Sequence, residues 1–366
     1  MSNQTLVLVH GMGSTTEEDF KEEFIDACHG AFQFYDRLKD DSKSEIEALA
    51  DIKIFAYNHV FETSREIWRE RTTDIREKLK ALDGGSEAFI DDGTVSKIEA
   101  IYDTFAGDGM FGTHWLDVLL YRYTLLGEDT RCHFAKFLCD VLQDNSDGGS
   151  RVHVVAHSLG TSVVHDTLAK LYTPDFDFRN YTKPDSINTE HFKLAGLHMI
   201  ANVSCILESI IDVRRSCVKP GQGGCAHEYL QYLNNLDPIT LPKRFQPSRS
   251  GTWISSSLWE DRRYQSVNTS SLTSGNPHAL AHYLANPENS YPLFQRIFPD
   301  KGLRDKDFLA AMKAYDNTTL EGRTESLEEH LENLSLQDSD SVMDLFEAMV
   351  ELKNFLYSRG EDWGII

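Results

Sequence analysis

A serine between an apolar run and an amphipathic run is the first candidate for chemistry in this sequence. Ser158 lies in Ala156-His-Ser-Leu-Gly160, one residue away from the G-x-S-x-G pattern that sets a nucleophilic serine on a sharp strand-to-helix turn. Small residues are needed two positions before and after that serine, because strand and helix approach closely there. Ala156 adds only one methyl group, so Ser158 is a candidate nucleophile. The alternative is an ordinary serine in a connecting loop.

Three other segments place polar residues directly after apolar runs. They are His10-Gly-Met-Gly13, Asn234-Asn-Leu-Asp-Pro-Ile239 and Asn276-Pro-His-Ala-Leu-Ala-His-Tyr283. A serine hydroxyl is a poor nucleophile unless a neutral imidazole removes its proton during the attack. His278 lies in a loop that begins a helix and can supply that base, and His282, one helical turn later, is its competitor. These segments predict acyl-transfer chemistry.

These segments require a scaffold of alternating strands and helices. Short apolar runs predict strands that are buried on both faces of a parallel sheet. The predicted strands are Thr5–Val9, Ile52–Tyr57, a strand beginning at Arg151, Lys193–Ala201, Glu228–Asn234 and Tyr264–Thr269. A capping box of Thr15 and Glu18 should open one helix, and another should span Arg131–Leu142. The pattern predicts an α/β fold with a mostly parallel sheet and helices on both faces.

The stretch from about residue 58 to 129 interrupts this alternation. Its apolar spacing predicts helices, which we interpret as a cap-like insertion into a core that spans residues 1–300. The alternative is that these helices merely cover one face of the sheet. Residues 301–366 have an acidic, helical pattern and are interpreted as a C-terminal extension. Such a charge run usually marks a solvated face, and a protein partner for these helices is the alternative.

The four polar segments together resemble the α/β-hydrolase superfamily of serine hydrolases. The resemblance covers about residues 5–287, apart from the insertion, and follows the family's chain order of Ser, Asp and His. It implies a catalytic triad of Ser158, Asp237 and His278. The acid segment is similar to the corresponding loop of lipase-like members of the superfamily.

Several neighbouring residues compete for the triad roles. Asp212 and Asp261 are the other candidate acids, although Asp212 is expected within a helix and Asp261 precedes two arginines that suggest a salt bridge. His157 is expected to point away from the nucleophile's side of the turn and to serve as a supporting or core residue.

The resemblance also implies an oxyanion hole. The main-chain N–H groups of Met12 and Leu159 would form it, and His10 and Gly11 belong to the same segment as Met12. Donors of this kind stabilise the negative oxygen of a tetrahedral intermediate by roughly 3 kcal/mol each.

Composition argues against several other classes of function. The chain has 366 residues, of which 36 are basic and 58 acidic, so its net charge is −22. That field repels nucleic acid and anionic lipid, and no basic cluster offsets it. The glycine segment after the first strand lacks both G-x-G-x-x-G and a Walker lysine. The six cysteines have no CxxC spacing, and no residue set has metal-ligand spacing. We therefore expect neither a cofactor nor a metal.

The sequence gives two expectations about location. It contains no run of the roughly 20 apolar residues that a membrane-spanning helix needs. The N-terminal residues lack the basic patch and apolar core of a signal peptide. We therefore expect a cytoplasmic protein without a transmembrane segment.

The residues and the resemblance together predict a serine hydrolase that cleaves a carboxylic ester. A lipid-like substrate is expected from the acid segment and from the apolar insertion, which could cover an acyl pocket. Thioesterase or amidase activity is the first alternative, because the same triad performs those reactions. The alternative from another class is a non-catalytic binding module on the same fold.

Overall fold

The fold is a parallel sheet between two layers of helices. The computed structural model describes residues 4–11, 16–57, 60–61, 121, 125–145, 151–173, 192–207, 216–237, 239–240, 245, 262–271 and 276–316. Most of the insertion predicted at about 58–129, and every residue after 316, lie outside this set.

Six strands form one sheet in which every neighbouring pair is parallel. They are β1 (Gln4–Val9), β2 (Asp51–Phe55), β3 (Arg151–His157), β4 (Leu194–Ile200), β5 (Ala226–Asn234) and β6 (Tyr264–Thr269), in the spatial order β2-β1-β3-β4-β5-β6. The predicted α/β class and parallel sheet are confirmed. The strands were predictable because β1, β3, β4 and most of β5 are buried along their length, which produces continuous apolar runs.

Helices pack on both faces of this sheet. Those of the first half are α1 (Glu17–Phe32), α2 (Lys43–Glu47), α3 (Leu125–Asp144) and α4 (Leu159–Leu171). Those of the second half are α5 (Ser204–Leu207), α6 (Leu280–Ala285), α7 (Pro287–Ile297), a 3₁₀ turn (Pro299–Lys301) and α8 (Asp305–Asp316).

The two apolar cores take alternate residues of each strand, as the period of two requires. Val7 and Val154 pack with α3 and α4 on one face, whereas Leu6 and Val155 pack with α1, α6, α7 and α8 on the other. The connections that leave β1 and β3, which contain α1 and α4 respectively, therefore run over opposite faces. Such a reversal opens a crevice at the carboxyl ends of the two strands that flank it, which here are β1 and β3.

Two predicted helix boundaries are wrong. The capping box of α1 consists of Thr16 and Asp19, where Asp19 N–H donates to Thr16 Oγ1 at 3.1 Å and Thr16 N–H donates to Asp19 Oδ2 at 3.3 Å. Both Thr15 and Thr16 are followed three residues later by an acid, so the sequence pattern alone did not fix the register. Helix α3 begins at Leu125 instead of Arg131, inside the stretch predicted as the insertion.

The first part of the acidic C-terminal stretch packs against the core. In α8, Ala311 is fully buried, and the ring of Tyr315 lies 5.4 Å from that of Phe34. Phe308 stacks on Tyr291 of α7 with the ring centroids 5.0 Å apart. Within the ranges given above, no helix is both long enough and apolar enough to cross a membrane.

Candidate active site

Ser158 forms the turn between β3 and α4. Its backbone has φ 53° and ψ −127°, a conformation that costs a non-glycine residue of order 1–3 kcal/mol. The turn is fixed from outside, because Ser158 N–H donates to the Ile200 carbonyl of β4 at 3.0 Å. The strain directs the side chain of Ser158 away from both elements, as a nucleophile on such a turn requires.

Two glycines make room for this turn. A Cβ atom on Gly160 would lie 2.4 Å from the carbonyl oxygen of His10 and 2.6 Å from that of Val9. One on Gly11 would lie 2.9 Å from the Cβ atom of Ser158. The small residue two positions after the serine is therefore needed because α4 begins against the end of β1. The pairing of Val9 with Ala156 brings these two strand ends together.

His278 lies in hydrogen-bonding contact with Ser158. Its Nε2 atom is 2.8 Å from Ser158 Oγ, although 120 positions separate the residues in the sequence. The residue precedes α6, and its N–H donates to Asn276 Oδ1 at 3.0 Å, an Asx turn that fixes the loop. His278 is thus positioned by a turn and not by the helix itself.

Asp237 lies on the other side of the same imidazole. Its Oδ2 atom is 2.8 Å from His278 Nδ1. Because a carboxylate only accepts, Nδ1 carries the proton, and Nε2 of the neutral ring is left to accept the hydroxyl proton of Ser158. Serine, histidine and aspartate therefore form one continuous chain of hydrogen bonds.

The carboxylate of Asp237 is fully buried and accepts three hydrogen bonds. Besides His278, Tyr283 donates its hydroxyl to Oδ2 at 2.6 Å, and the Ile239 N–H donates to Oδ1 at 2.9 Å. Burial by itself raises the pKa of Asp237, but its interaction with His278 and the hydrogen bonds from Tyr283 and the Ile239 N–H together bring that pKa below its ordinary value. The group is therefore an anion that can stabilise an imidazolium.

The structure separates the predicted competitors. His282 donates from Nε2 to the Ser271 carbonyl at 3.0 Å, and its burial lowers its pKa, so it packs beside the site instead of serving Ser158. Asp212 and Asp261 lie outside the described residues. His157, which was expected to point away, packs its ring 5.1 Å from that of His278 and donates from Nε2 to the His278 carbonyl at 2.9 Å.

The predicted oxyanion segment is only partly described. Leu159 is the first residue of α4, so its N–H lies at the positive end of the helix dipole. Met12 lies outside the described residues, and its role stays a prediction. Gly11 precedes Met12 in the sequence, and its carbonyl accepts a hydrogen bond from the Tyr57 hydroxyl at 2.6 Å. The ring of His10 stacks on Tyr57 at 4.2 Å and accepts the Tyr57 N–H at 3.1 Å, so its side chain holds this loop in place.

Sequence reasoning missed two supporting residues, Tyr57 and Tyr283, and it expected His157 in a supporting role without its contact with the His278 carbonyl. Each is buried and acts across the fold on a main-chain or carboxylate oxygen. Tyr283 ends one of the segments singled out above, but its position in the sequence does not reveal that it reaches Asp237. Across the ranges that the structure describes, no group of three or more His, Cys, Asp or Glu residues could hold a metal ion.

Comparison with known proteins adds no family assignment. No model of a protein family matches the chain, and no curated protein is significantly similar to it in sequence. Its function is therefore inferred from the geometry of this site.

Proposed function

We propose that this protein is a serine hydrolase with an α/β-hydrolase fold. The observation that carries the proposal is the chain of two 2.8 Å hydrogen bonds from Ser158 Oγ through His278 to Asp237. A strained serine, an imidazole in the required tautomer and a buried carboxylate are the parts that nucleophilic acyl transfer needs. Their position at the crevice between β1 and β3 agrees with where parallel sheets bind ligands.

In the proposed reaction, Ser158 Oγ attacks an acyl carbon while its proton passes to Nε2 of His278. Asp237 stabilises the resulting imidazolium through Nδ1. The tetrahedral intermediate then loses its alcohol, which takes the proton from Nε2, and an acyl-enzyme remains. A water molecule next attacks the acyl carbon as His278 removes one of its protons. Collapse of the second intermediate returns that proton to Ser158 and releases the acid.

Preorganised donors must stabilise the negative oxygen of both intermediates. Leu159 N–H at the start of α4 is one proposed donor, because the helix dipole favours negative charge there. Met12 N–H is the second, carried over from the resemblance. The Tyr57 hydroxyl supports this proposal, because it donates to the Gly11 carbonyl at 2.6 Å, lies 3.2 Å from the His10 carbonyl oxygen, and so fixes the loop that leads into Met12.

We propose that the substrate is a carboxylic ester with an apolar acyl group. The resemblance of the segment around Asp237 to the acid loop of lipase-like members of the superfamily favours an apolar acyl group. The net charge of −22 disfavours anionic substrates. Thioesters and amides react through the same steps, and a substrate panel will distinguish them from esters.

The test is covalent labelling of the serine. Wild-type protein, Ser158→Ala and Ser162→Ala are incubated with a fluorophosphonate, and the intact masses are measured. Ser162 is the matched control, because it is a buried serine in α4, the helix that follows Ser158, and has no role in the proposed chemistry. We expect one adduct on wild type and on Ser162→Ala, and none on Ser158→Ala.

A folded wild-type protein that acquires no adduct would contradict the proposal and favour a binding module. Labelling is followed by assays with a panel of esters of increasing acyl length, together with thioester and amide analogues. The relative kcat/KM values then identify the substrate class.

A further inference from the structure

Tyr283 makes a contact that the proposed reaction has not yet used. Its side chain is buried in α6, and its hydroxyl donates to Asp237 Oδ2 at 2.6 Å. The same hydroxyl accepts the main-chain N–H of Asn234 at 3.2 Å. Because that N–H occupies a lone pair of the phenol oxygen, the phenol proton is directed at Asp237.

The hydroxyl shares a single carboxylate oxygen with the imidazole. His278 Nδ1 and Tyr283 both donate to Oδ2, whereas Oδ1 receives the Ile239 N–H at 2.9 Å. The shared oxygen is the one that must stabilise the imidazolium. A second donor on it withdraws negative charge from the contact with His278, and it also fixes the rotation of the carboxylate.

We infer that Tyr283 is a positioning residue that orients Asp237 and sets the pH above which His278 activates Ser158. The inference rests on the proposed function. Without the phenol, Oδ2 would be more negative and would favour the protonated imidazole more strongly. The base would then become available only at a higher pH.

Other titratable groups also face the Asp237–His278 pair. His157 approaches from the end of β3, and His282 lies in α6, on the same helix as Tyr283. Neither donates to the carboxylate in the described contacts, since His157 bonds to the His278 carbonyl and His282 to the Ser271 carbonyl. Tyr283 is the titratable residue whose side chain, besides that of His278, donates to the carboxylate in the described contacts, and the charge of Asp237 also acts on His282.

The experiment measures the rate of fluorophosphonate labelling of Ser158 between pH 5 and 9. It compares wild type with Tyr283→Phe, and it uses Tyr35→Phe as the matched control. Tyr35 is equally buried, and its hydroxyl forms a hydrogen bond with Ser290 Oγ at 2.9 Å instead of with a triad residue. Loss of a buried hydrogen bond to a charged group should move the acid limb of Tyr283→Phe upward by about one pH unit. Tyr35→Phe should keep the wild-type profile.

A second variant covers the case in which Tyr283→Phe does not fold. Site-specific 3-fluorotyrosine at position 283 keeps the shape of the side chain but is a stronger donor, so the acid limb should move to lower pH. An acid limb that stays in place in the folded variants overturns the inference. Failure of wild type to label at any pH instead contradicts the proposed function, so the two failures are distinguishable.

Discussion

His157 donates a hydrogen bond from Nε2 to the main-chain carbonyl of His278 at 2.9 Å. The residue that precedes the candidate nucleophile therefore holds the loop that carries the candidate base. We predict that His157→Ala slows labelling of Ser158 by about fivefold, because loss of one buried hydrogen bond costs about 1 kcal/mol and frees the loop. His157→Gln retains a donor and should recover most of the rate. Equal rates in all three proteins would show that the contact has no role in positioning.

The backbone strain at Ser158 can be measured with two variants that lack its hydroxyl group. Ser158→Ala keeps a Cβ atom at φ 53°, whereas Ser158→Gly removes it and allows that conformation without steric cost. We predict that Ser158→Gly is more stable than Ser158→Ala by about 1 kcal/mol, after the greater entropy of unfolded glycine is included. Urea unfolding of the two variants is the measurement. Equal stabilities would mean that the turn stores no such strain.

Gly160 should not tolerate a side chain, because a Cβ atom there would meet the carbonyl oxygen of His10 at 2.4 Å. It would also lie 2.6 Å from the carbonyl oxygen of Val9. Both oxygens belong to the main chain and cannot rotate away. We predict that Gly160→Ala lowers the free energy of unfolding by about 2–3 kcal/mol. The matched control is Gly30→Ala in α1, where an added Cβ atom meets nothing within 4 Å, and it should raise stability by up to about 1 kcal/mol. Similar effects at both positions would contradict the close approach of α4 and β1.

Asp237 should be needed for activity because its carboxylate fixes the proton of His278 on Nδ1. In Asp237→Asn the amide can donate to that nitrogen instead, which favours the wrong tautomer. We predict a loss of about 10⁴-fold in kcat with the fold retained. Ester hydrolysis and circular dichroism at neutral pH provide the measurement. Full activity in a folded Asp237→Asn would transfer the role to another acid, such as Asp212 or Asp261.

The paired histidines of the sheet should make stability depend on pH. His153 Nδ1 lies 3.2 Å from His198 Nε2, and both rings are buried. Burial, with Arg151 and Arg296 nearby, lowers the pKa of His153 to about 3. Burial, next to His153 and Arg296, also lowers the pKa of His198.

Whether the free energy of unfolding rises or falls with pH depends on whether the folded or the unfolded state binds the proton of His153. The unfolded chain becomes protonated below about pH 6.5, but the folded state does not until about pH 3. The stabilisation is therefore complete above pH 6.5 and is lost as the pH falls towards 3, by about 1.4 kcal/mol per pH unit. In urea unfolding between pH 6 and 4, His153→Gln should reduce the slope of the free energy of unfolding against pH by about 1.4 kcal/mol per pH unit. An unchanged slope of the free energy of unfolding against pH would contradict a neutral His153. The difference in that free energy between wild type and His153→Gln at pH 7.5 gives the separate cost of altered packing.

The strands could be predicted because burial on both faces leaves a continuous apolar run in the sequence. The bounds of β6 match those predicted, and β4 differs by one residue at each end. Helix ends were less predictable, since Thr15 and Thr16 both begin a capping pattern and only the folded backbone selects Thr16. The glycine pattern around Ser158 was also readable, because its cause is local: the elements on either side of the turn approach too closely for larger residues.

The sequence by itself indicated where the strands lie along the chain, the strained turn at Ser158 and the candidate residues Ser158, Asp237 and His278. Only the tertiary structure selected His278 over His282 and directed His157 and Tyr283 towards the same site. These contacts join residues 41 to 121 positions apart. Their distances depend on the parallel register of the strands and on the rotation of α6, which arise from packing across the whole sheet and leave no local pattern in the sequence.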